Sequence, residues 1–489
     1  MAQHAPVIGE GDASHGIAAT IGRWAGPIAG VALAWWTHPA GAAHGGLTAD
    51  GAITLGLLAW MALWWMTQAA DLAVTALIPA VLLPVLGIVA FKDVAASYAD
   101  NVIFLFAGGT VIGIALERHG ISEHFVHWML KAAGTRPAFV VGALFMAAAS
   151  VSAFVSNTAT TVLMLPLATG VAAGAVALPN TAPERAARGA RNFTAAALLA
   201  IAFGSTVGGA ATLIGSPPNA IAANYLRAEG VNMDFGAWAR FGVPIALAMC
   251  PVAILAIVRM LPAHGIALPP RRREDLPPIR PAGWATLAIF VAAVFVWVTS
   301  SSWPAGWKPA GLTDGGVAIA AAILLMVLPA RDGSRRAIVP WAMTRDLPWG
   351  VFILFGGGLA IGDAMQRTGL SQAIGQSLAG LGVLPSVAVI GSVVLAMAFA
   401  SEIGSNTALT ATAVPILGAM APALGIPVTT MALATAFGAS YAFMLPVGTP
   451  PNALVFATGK VPHGAMVRVG LVLDLAGAVV ITAMLWILS

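Results

Sequence analysis

Charge is scarce in this 489-residue chain: Asp, Glu, Lys and Arg together make up 9% of it. That is too little to cover the surface of a soluble protein of this length. Cysteine is nearly absent. Cys250 stands alone in an apolar run, which excludes a disulfide framework and a cysteine-based metal site. The first 20 residues hold no Lys or Arg and no apolar core of signal-peptide type, so no cleaved signal is expected. Four segments, 150–166, 204–222, 400–418 and 438–456, lack Lys, Arg and His altogether, and Glu402 is their only acid. A hydrolase built on Ser156 or Ser405 would need a base in these segments, and none is there. The chain is therefore not expected to be an enzyme.

Hydrophobic residues make up 59% of the chain, which places it in the membrane class. Runs long enough to cross about 30 Å of hydrocarbon need roughly 20 residues. Eleven candidate spans lie near 22–37, 51–68, 72–91, 101–118, 194–225, 241–262, 283–300, 315–330, 347–366, 431–458 and 466–488. Tryptophans 35, 36, 60, 64, 65, 303 and 307 flank spans and read as interface anchors. Two apolar stretches remain, 137–176 and 384–420. Each carries Ser-Asn-Thr at its middle, as Ser156, Asn157 and Thr158 and as Ser405, Asn406 and Thr407.

Asn406 follows Asn157 by 249 positions. The same offset relates Pro415 to Pro166, and Phe355, Gly357 and Gly358 to Phe106, Gly108 and Gly109. The chain thus reads as two copies of one unit, each with an interrupted hydrophobic segment, the layout of a transporter built from repeats. The expected segments are a cytoplasmic N-terminal stretch 1–21, a first half 22–262 with hairpin 137–176, a Pro- and Arg-rich linker 263–281, and a second half 282–489 with hairpin 384–420.

With the N-terminus in the cytoplasm, 18 of the 23 Lys and Arg residues fall on the inner side, as the positive-inside rule requires. This scheme puts the C-terminus outside, makes the two repeats inverted, and brings the two re-entrant hairpins in from opposite faces.

A second paired motif follows each hairpin, Gly215-Ser216-Pro217-Pro218-Asn219 and Gly448-Thr449-Pro450-Pro451-Asn452. Gly and Pro-Pro inside a span break the helix. Freed carbonyls then suit a cation, and half-helix N-termini suit an anion. Hydroxyl, amide and carbonyl oxygens without a His or Cys cluster fit a hard monovalent cation such as Na⁺. An anion bound without cationic side chains needs positive charge from elsewhere, and co-bound Na⁺ supplies it. The blander alternative is that Ser, Thr and Asn only join neighbouring helices. The Gly-Gly pairs read as close helix packing. Glu402 is either functional or a structural partner near the outer mouth, and Asp363 and Asp474 are weaker candidates of the same kind.

The paired Ser-Asn-Thr hairpins, each followed by a Gly-Ser/Thr-Pro-Pro-Asn break, resemble the divalent anion/sodium symporter family of Na⁺-coupled dicarboxylate and citrate carriers. The resemblance covers nearly the whole chain, and the stretch 442–456 is its most specific part. It implies an all-α protein of eleven transmembrane helices and two re-entrant hairpins. It also implies scaffold and elevator-type transport domains, a homodimer, and a bacterial inner membrane with lipid as partner. It places a first Na⁺ on Ser152, Ser156, Asn157 and the carbonyl of Gly215, and a second on Ser401, Gly404, Asn406 and the carbonyl of Gly448. The substrate carboxylates would meet Ser156, Asn157, Thr158, Ser405, Asn406 and Thr407, with Thr449 and Pro450 beside them. The implied function is Na⁺-driven import of a C4-dicarboxylate such as succinate, malate or fumarate. Sulfate or another divalent anion, and exchange without Na⁺, are the alternatives, with an uncoupled channel as a further class. Nothing points to nucleic acid as a partner.

Overall fold

A computed structural model describes residues 17–38, 47–269, 276–304, 306–307, 309–331, 333, 336–377 and 385–488. The first 16 residues of the expected N-terminal stretch, the Arg271, Arg272 and Arg273 run of the linker, Lys308, Arg335, residue 384 of the second hairpin and the final Ser489 lie outside the described residues.

The described residues are mostly helical. In chain order the helices are α1 (Ile17–Thr37), α2 (Ala49–Thr67), α3 (Leu72–Ala76), α4 (Ile78–Val85), α5 (Phe91–Ser97), α6 (Asn101–Arg118) and α7 (Ile121–Ala133). Then come α8 (Pro137–Ser152), α9 (Asn157–Ala173), α10 (Pro183–Gly209), α11 (Pro217–Ala228), α12 (Phe235–Met260), α13 (Pro281–Thr299) and α14 (Asp314–Val327). The chain continues with α15 (Trp349–Arg367), α16 (Leu370–Ser377), α17 (Ser386–Ser401), α18 (Asn406–Met420), α19 (Val428–Ser440), α20 (Pro450–Ala457) and α21 (His463–Leu488).

Helix boundaries repeat the offset read from the motifs. The ends of α6 and α15, the starts of α7 and α16, both ends of α8 and α17, and the starts of α9 and α18 each lie 249 positions apart. The link after α6 and after α15 is a left-handed glycine, Gly120 (φ 69°) and Gly369 (φ 74°), a conformation that side chains resist. The short helices α7 and α16 were not foreseen, because their mixed composition gives no span-length apolar run.

Seven helices among the described residues are long and apolar enough to cross a membrane, where eleven spans are expected. Of the four spans that are not matched, 22–37 lies in α1, and the other three have local causes. The stretch 72–91 breaks into α3 and α4, with Pro79 at the start of α4. The 315–330 span is a 14-residue helix, α14. The 431–458 span is interrupted between α19 and α20. Outside the eleven, the arms α8 and α17 have 16 residues each, or about 24 Å at 1.5 Å per residue, short of a full crossing. The linker is tied down in part: Ile266–Ala267 pairs antiparallel with Val176–Ala177.

The core centres on the two helices that end at the breaks. Every residue from 195 to 216 and from 430 to 443 is buried, the pattern of helices surrounded by protein on all sides. Phe203 on α10 meets Phe443 beyond α19 edge-on at 5.2 Å. Trp35 and Trp36 are exposed as interface anchors should be, but Trp65 is buried, its indole N–H donating to the Leu72 carbonyl.

The Gly-Gly reading holds for three of the four residues. A Cβ on Gly108 would stand 2.5 Å from the Ala318 main chain, one on Gly109 would crowd Ile214, and one on Gly357 would stand 2.2 Å from the Ala76 carbonyl. Gly358 has nothing within 4 Å. Gly357→Ala should therefore destabilise the detergent-solubilised protein by about 1–3 kcal/mol. Gly358→Ala should be neutral or stabilising by up to about 1 kcal/mol. Thermal unfolding of the two variants side by side checks this.

Candidate functional site

Each hairpin tip is a helix end facing a helix start. In the first, α8 ends at Ser152 and α9 begins at Asn157. The Ser152 hydroxyl donates to Asn157 Oδ1 at 2.7 Å. Ser156 caps α9 by accepting from Ala159 N, and Thr161 donates to the Asn157 carbonyl. The second tip repeats these bonds. Ser401 donates to Asn406 Oδ1 at 2.6 Å, Ser405 caps α18 at Ala408 N, and Thr410 donates to the Asn406 carbonyl. The duplication in sequence is a duplication of hydrogen bonds.

The breaks are matched too, at an offset of 233. The Asn219 amide donates to the carbonyls of Gly209 (2.8 Å) and Thr212 (2.7 Å). The Asn452 amide donates to those of Ala442 (3.2 Å) and Leu445 (3.1 Å). Each asparagine thus bridges the interruption, holding a carbonyl at the end of the preceding segment and a second one that also takes a main-chain N–H, Gly215 N on Thr212 and Gly448 N on Leu445. Both side chains are fully buried, and their Oδ1 atoms have no hydrogen-bond partner, so each break keeps a spare buried oxygen. These asparagines stand in the paired motifs, yet sequence reasoning assigned them no role. The signal was their constant spacing, 10 and 7 residues beyond the carbonyls they hold.

The two tips and the two breaks line one cavity of about 1520 Å³. Ser156, Asn157, Thr158 and Gly215 from the first half meet Gly404, Ser405, Asn406, Thr407, Gly448, Thr449 and Pro450 from the second. Ser152 and Ser401 lie fully buried behind the asparagines they bond. The cavity exceeds the usual ligand pocket of about 300–1,000 Å³ because it is a vestibule. Its walls continue along α6 to Glu117 and Arg118 and along Gln68, Asp71 and Asp346.

Helix polarity sorts the site into anion and cation positions. The N-termini of α9 and α18 face the cavity with open N–H groups in the first turn. By contrast α11 and α20 begin with Pro-Pro, which has no N–H to offer. The C-termini of α8 and α10 meet beside Asn157: a Cβ on Gly209 would stand 2.0 Å from Asn157 Oδ1, and one on Gly215 would stand 2.5 Å from the Gly209 carbonyl. The second half repeats this, with the Ser401 hydroxyl, whose one hydrogen is shared with Asn406 Oδ1, also within hydrogen-bond reach of the Ala439 carbonyl near the end of α19. Each helix C-terminus carries roughly half a negative charge. The oxygens clustered there suit a small hard cation without any carboxylate ligand.

Glu402 is not at a mouth. It is 1% exposed, and it makes no ion pair among the described residues. Its carboxylate accepts from Met444 N and Leu445 N, both at 2.6 Å. Asp474 is equally buried and accepts from Phe443 N. Asp363 is a partly exposed partner of Arg367.

A match to the citrate transporter family spans residues 62–438. The sodium-dependent dicarboxylate transporter SdcS of Staphylococcus saprophyticus is 33% identical over 455 residues, which cover 90% of this chain and 87% of that protein. The chain belongs to the divalent anion/sodium symporter family. SdcS of Staphylococcus aureus is 31% identical over 472 residues, covering 94% and 89%. Membership makes this symporter-family chain an integral membrane transporter. The crystal structure of the Alcanivorax borkumensis YdaH transporter has the same overall fold, with a TM-score of 0.57 over 81% of this chain and 87% of that one, at 15% identity.

Truncating either bridging asparagine leaves one buried carbonyl, that of Gly209 or Ala442, without its amide donor, at about 1–3 kcal/mol. It also removes one of the two bonds to the Thr212 or Leu445 carbonyl, which keeps Gly215 N or Gly448 N. Asn219→Ala and Asn452→Ala should each lower the unfolding temperature in detergent by several degrees. Asn157→Ala, half-exposed in the cavity wall, should lower it far less. Equal stability of all three would remove the bridging role.

Proposed function

We propose that this chain is a secondary active transporter that carries a C4-dicarboxylate together with Na⁺. One observation carries the reading. Two helix N-termini face a common cavity from two halves of the chain, no Lys, Arg or His lies in the tips or breaks, and a cluster of oxygens sits beside each N-terminus. The sodium-dependent dicarboxylate transporters at about 30% identity support the ion and the substrate class.

The carboxylates of the substrate bind at Ser156, Asn157, Thr158, Ser405, Asn406 and Thr407, one at each tip, near Thr449 and Pro450. One Na⁺ binds at Ser152, Ser156, Asn157 and the Gly215 carbonyl, the other at Ser401, Gly404, Asn406 and the Gly448 carbonyl. Each asparagine then serves both solutes: its Oδ1 faces the ion, and its helix N-terminus faces the anion. At a separation of about 6 Å and an effective dielectric of about 20, one Na⁺–carboxylate pair is worth about 3 kcal/mol, close to 100-fold in affinity. That term replaces the missing arginine and couples the two fluxes.

The eleven-span, inverted-repeat arrangement with two re-entrant hairpins supplies the rest of the reading. With the basic residues inside, the mouth near Arg118 and Asp346 faces the cytoplasm, and the conformation is inward-open. Alternating access then moves the hairpins, the breaks and their helices as one body against a dimeric scaffold, in elevator fashion.

Reconstituted liposomes test this with labelled succinate. Uptake should require an inward Na⁺ gradient and fall to background with K⁺ or choline. Asn157→Ala and Asn406→Ala should each abolish it. Unlabelled malate should compete and sulfate should not; competition by sulfate alone would shift the reading to an oxyanion carrier. Equal uptake in Na⁺, K⁺ and choline would overturn Na⁺ coupling.

A further inference from the structure

The equivalent helices α6 and α15 are backed alike but faced differently. Gly108 of α6 sits against the Ala318 main chain of α14, and Gly357 of α15 sits against the Ala76 main chain of α3. The difference lies one residue and one turn further on. In the first half, Gly109 and Gly113 of α6 receive the break and the hairpin tip. A Cβ on Gly109 would stand 3.1 Å from Ile214, and one on Gly113 would stand 3.5 Å from the Phe154 carbonyl. Ile214 is buried, and the Phe154 ring meets Phe290 of α13 edge-on at 4.9 Å.

The second half has the same four residues without these contacts. Gly358 and Gly362 follow Gly109 and Gly113 by 249 positions, and a Cβ on either would have nothing within 4 Å. Ile403 follows Phe154 by 249 positions, and Val447 follows Ile214 by 233. Ile403 is 84% exposed and Val447 74% exposed, both in the wall of the large cavity. Gly358 and Gly362 line a separate space of about 20 Å³, bounded by Asn224 and Tyr225 of α11 and by Ala411 and Pro415 of α18. One half thus rests its tip and its break on a pair of glycines. The other has a bare tip, a bare break and an open pair of glycines. Large apolar side chains held bare in water lose the free energy that burial would return, and such exposure marks a surface that is covered at another stage.

We infer that α15 is a second seat. In the alternate conformation Val447 packs on Gly358, and the tip at Ile403 and Gly404 packs on Gly362, while α11 and α18 leave that face. The inference rests on the alternating-access reading above, and it adds the residues that hold the opposite state. Glycine at 358 and 362 lets the broken chain approach the helix closely, as small residues do at helix contacts in membranes. Each copy of the unit makes the same contact in turn, so the two end states stay close in free energy, as a shifting equilibrium requires.

Paired cysteines in a Cys250→Ala background test this in reconstituted liposomes. The Gly109→Cys/Ile214→Cys pair is the control, since a Cβ on Gly109 would stand 3.3 Å from Ile214 Cβ, close to the separation a disulfide takes. The Gly358→Cys/Val447→Cys pair should also cross-link under copper phenanthroline, although nothing touches Gly358 here. Each cross-link should cut succinate uptake at least tenfold, and reduction should restore it. Gly358→Val is a second test that needs no cross-link. It should keep the wild-type unfolding temperature in detergent and cut uptake at least tenfold, because the seat is filled. A control pair that cross-links while the Gly358→Cys/Val447→Cys pair stays reduced overturns the inference. So does wild-type uptake by folded Gly358→Val protein. The Na⁺-coupled reading survives both results. Cross-linking of both pairs in a protein whose uptake ignores Na⁺ overturns the coupled reading and leaves the second seat standing.

Discussion

Four main-chain carbonyls held by two asparagine amides are the constraint on which this molecule is built. A helix interrupted in a protein interior exposes polar groups that neither lipid nor apolar side chains can satisfy. Asn219 and Asn452 meet that demand at equivalent places. The interruptions can then persist in the most buried part of the chain, beside helices with no exposed residue along three turns or more. Without those bonds the chain would have to close the breaks into continuous helix or abandon the interior. With them, it holds a set of helix ends in fixed relation around one cavity.

Helix ends are charges that need no titratable group. The N-termini of α9 and α18 favour an anion, and the C-termini of α8, α10, α17 and α19 favour cations. Pro217, Pro218, Pro450 and Pro451 remove competing donors from the two helices that follow the breaks. In the proposed reading, one asparagine side chain in each half separates the anion position from the cation position. This proximity explains why the absence of basic residues is a feature of the site: a fixed arginine would hold the anion whether or not the cations were present, and coupling would be lost.

Much of this was legible in the sequence, and the parts that were not have physical reasons. The offset of 249 located the two equivalent helix starts to the residue, since α9 and α18 begin at the two asparagines. The Pro-Pro-Asn motifs located the breaks. Composition could not show that Asn219 and Asn452 turn inward to the main chain, because an amide's partners depend on how the interrupted chain folds back. Nor could it show that Glu402 is buried against main-chain N–H groups, since an acid near a helix end reads equally well as surface. The spans at 72–91 and 431–458 look continuous in hydropathy but are broken by proline and by local turns. The amphipathic α7 was hidden for the opposite reason, because too few of its residues are apolar to register as a span.

The central claim is that the anion site is incomplete without cations. Equilibrium binding of succinate to the detergent-solubilised wild-type protein tests it without the complications of a transport cycle. Affinity is measured in Na⁺ and in choline at the same ionic strength, and Na⁺ affinity is measured with and without succinate. The account predicts that replacing Na⁺ weakens succinate binding by about 100-fold or more, and that succinate tightens Na⁺ binding by the same factor, as linkage requires. Succinate binding of equal strength in Na⁺ and in choline would contradict it.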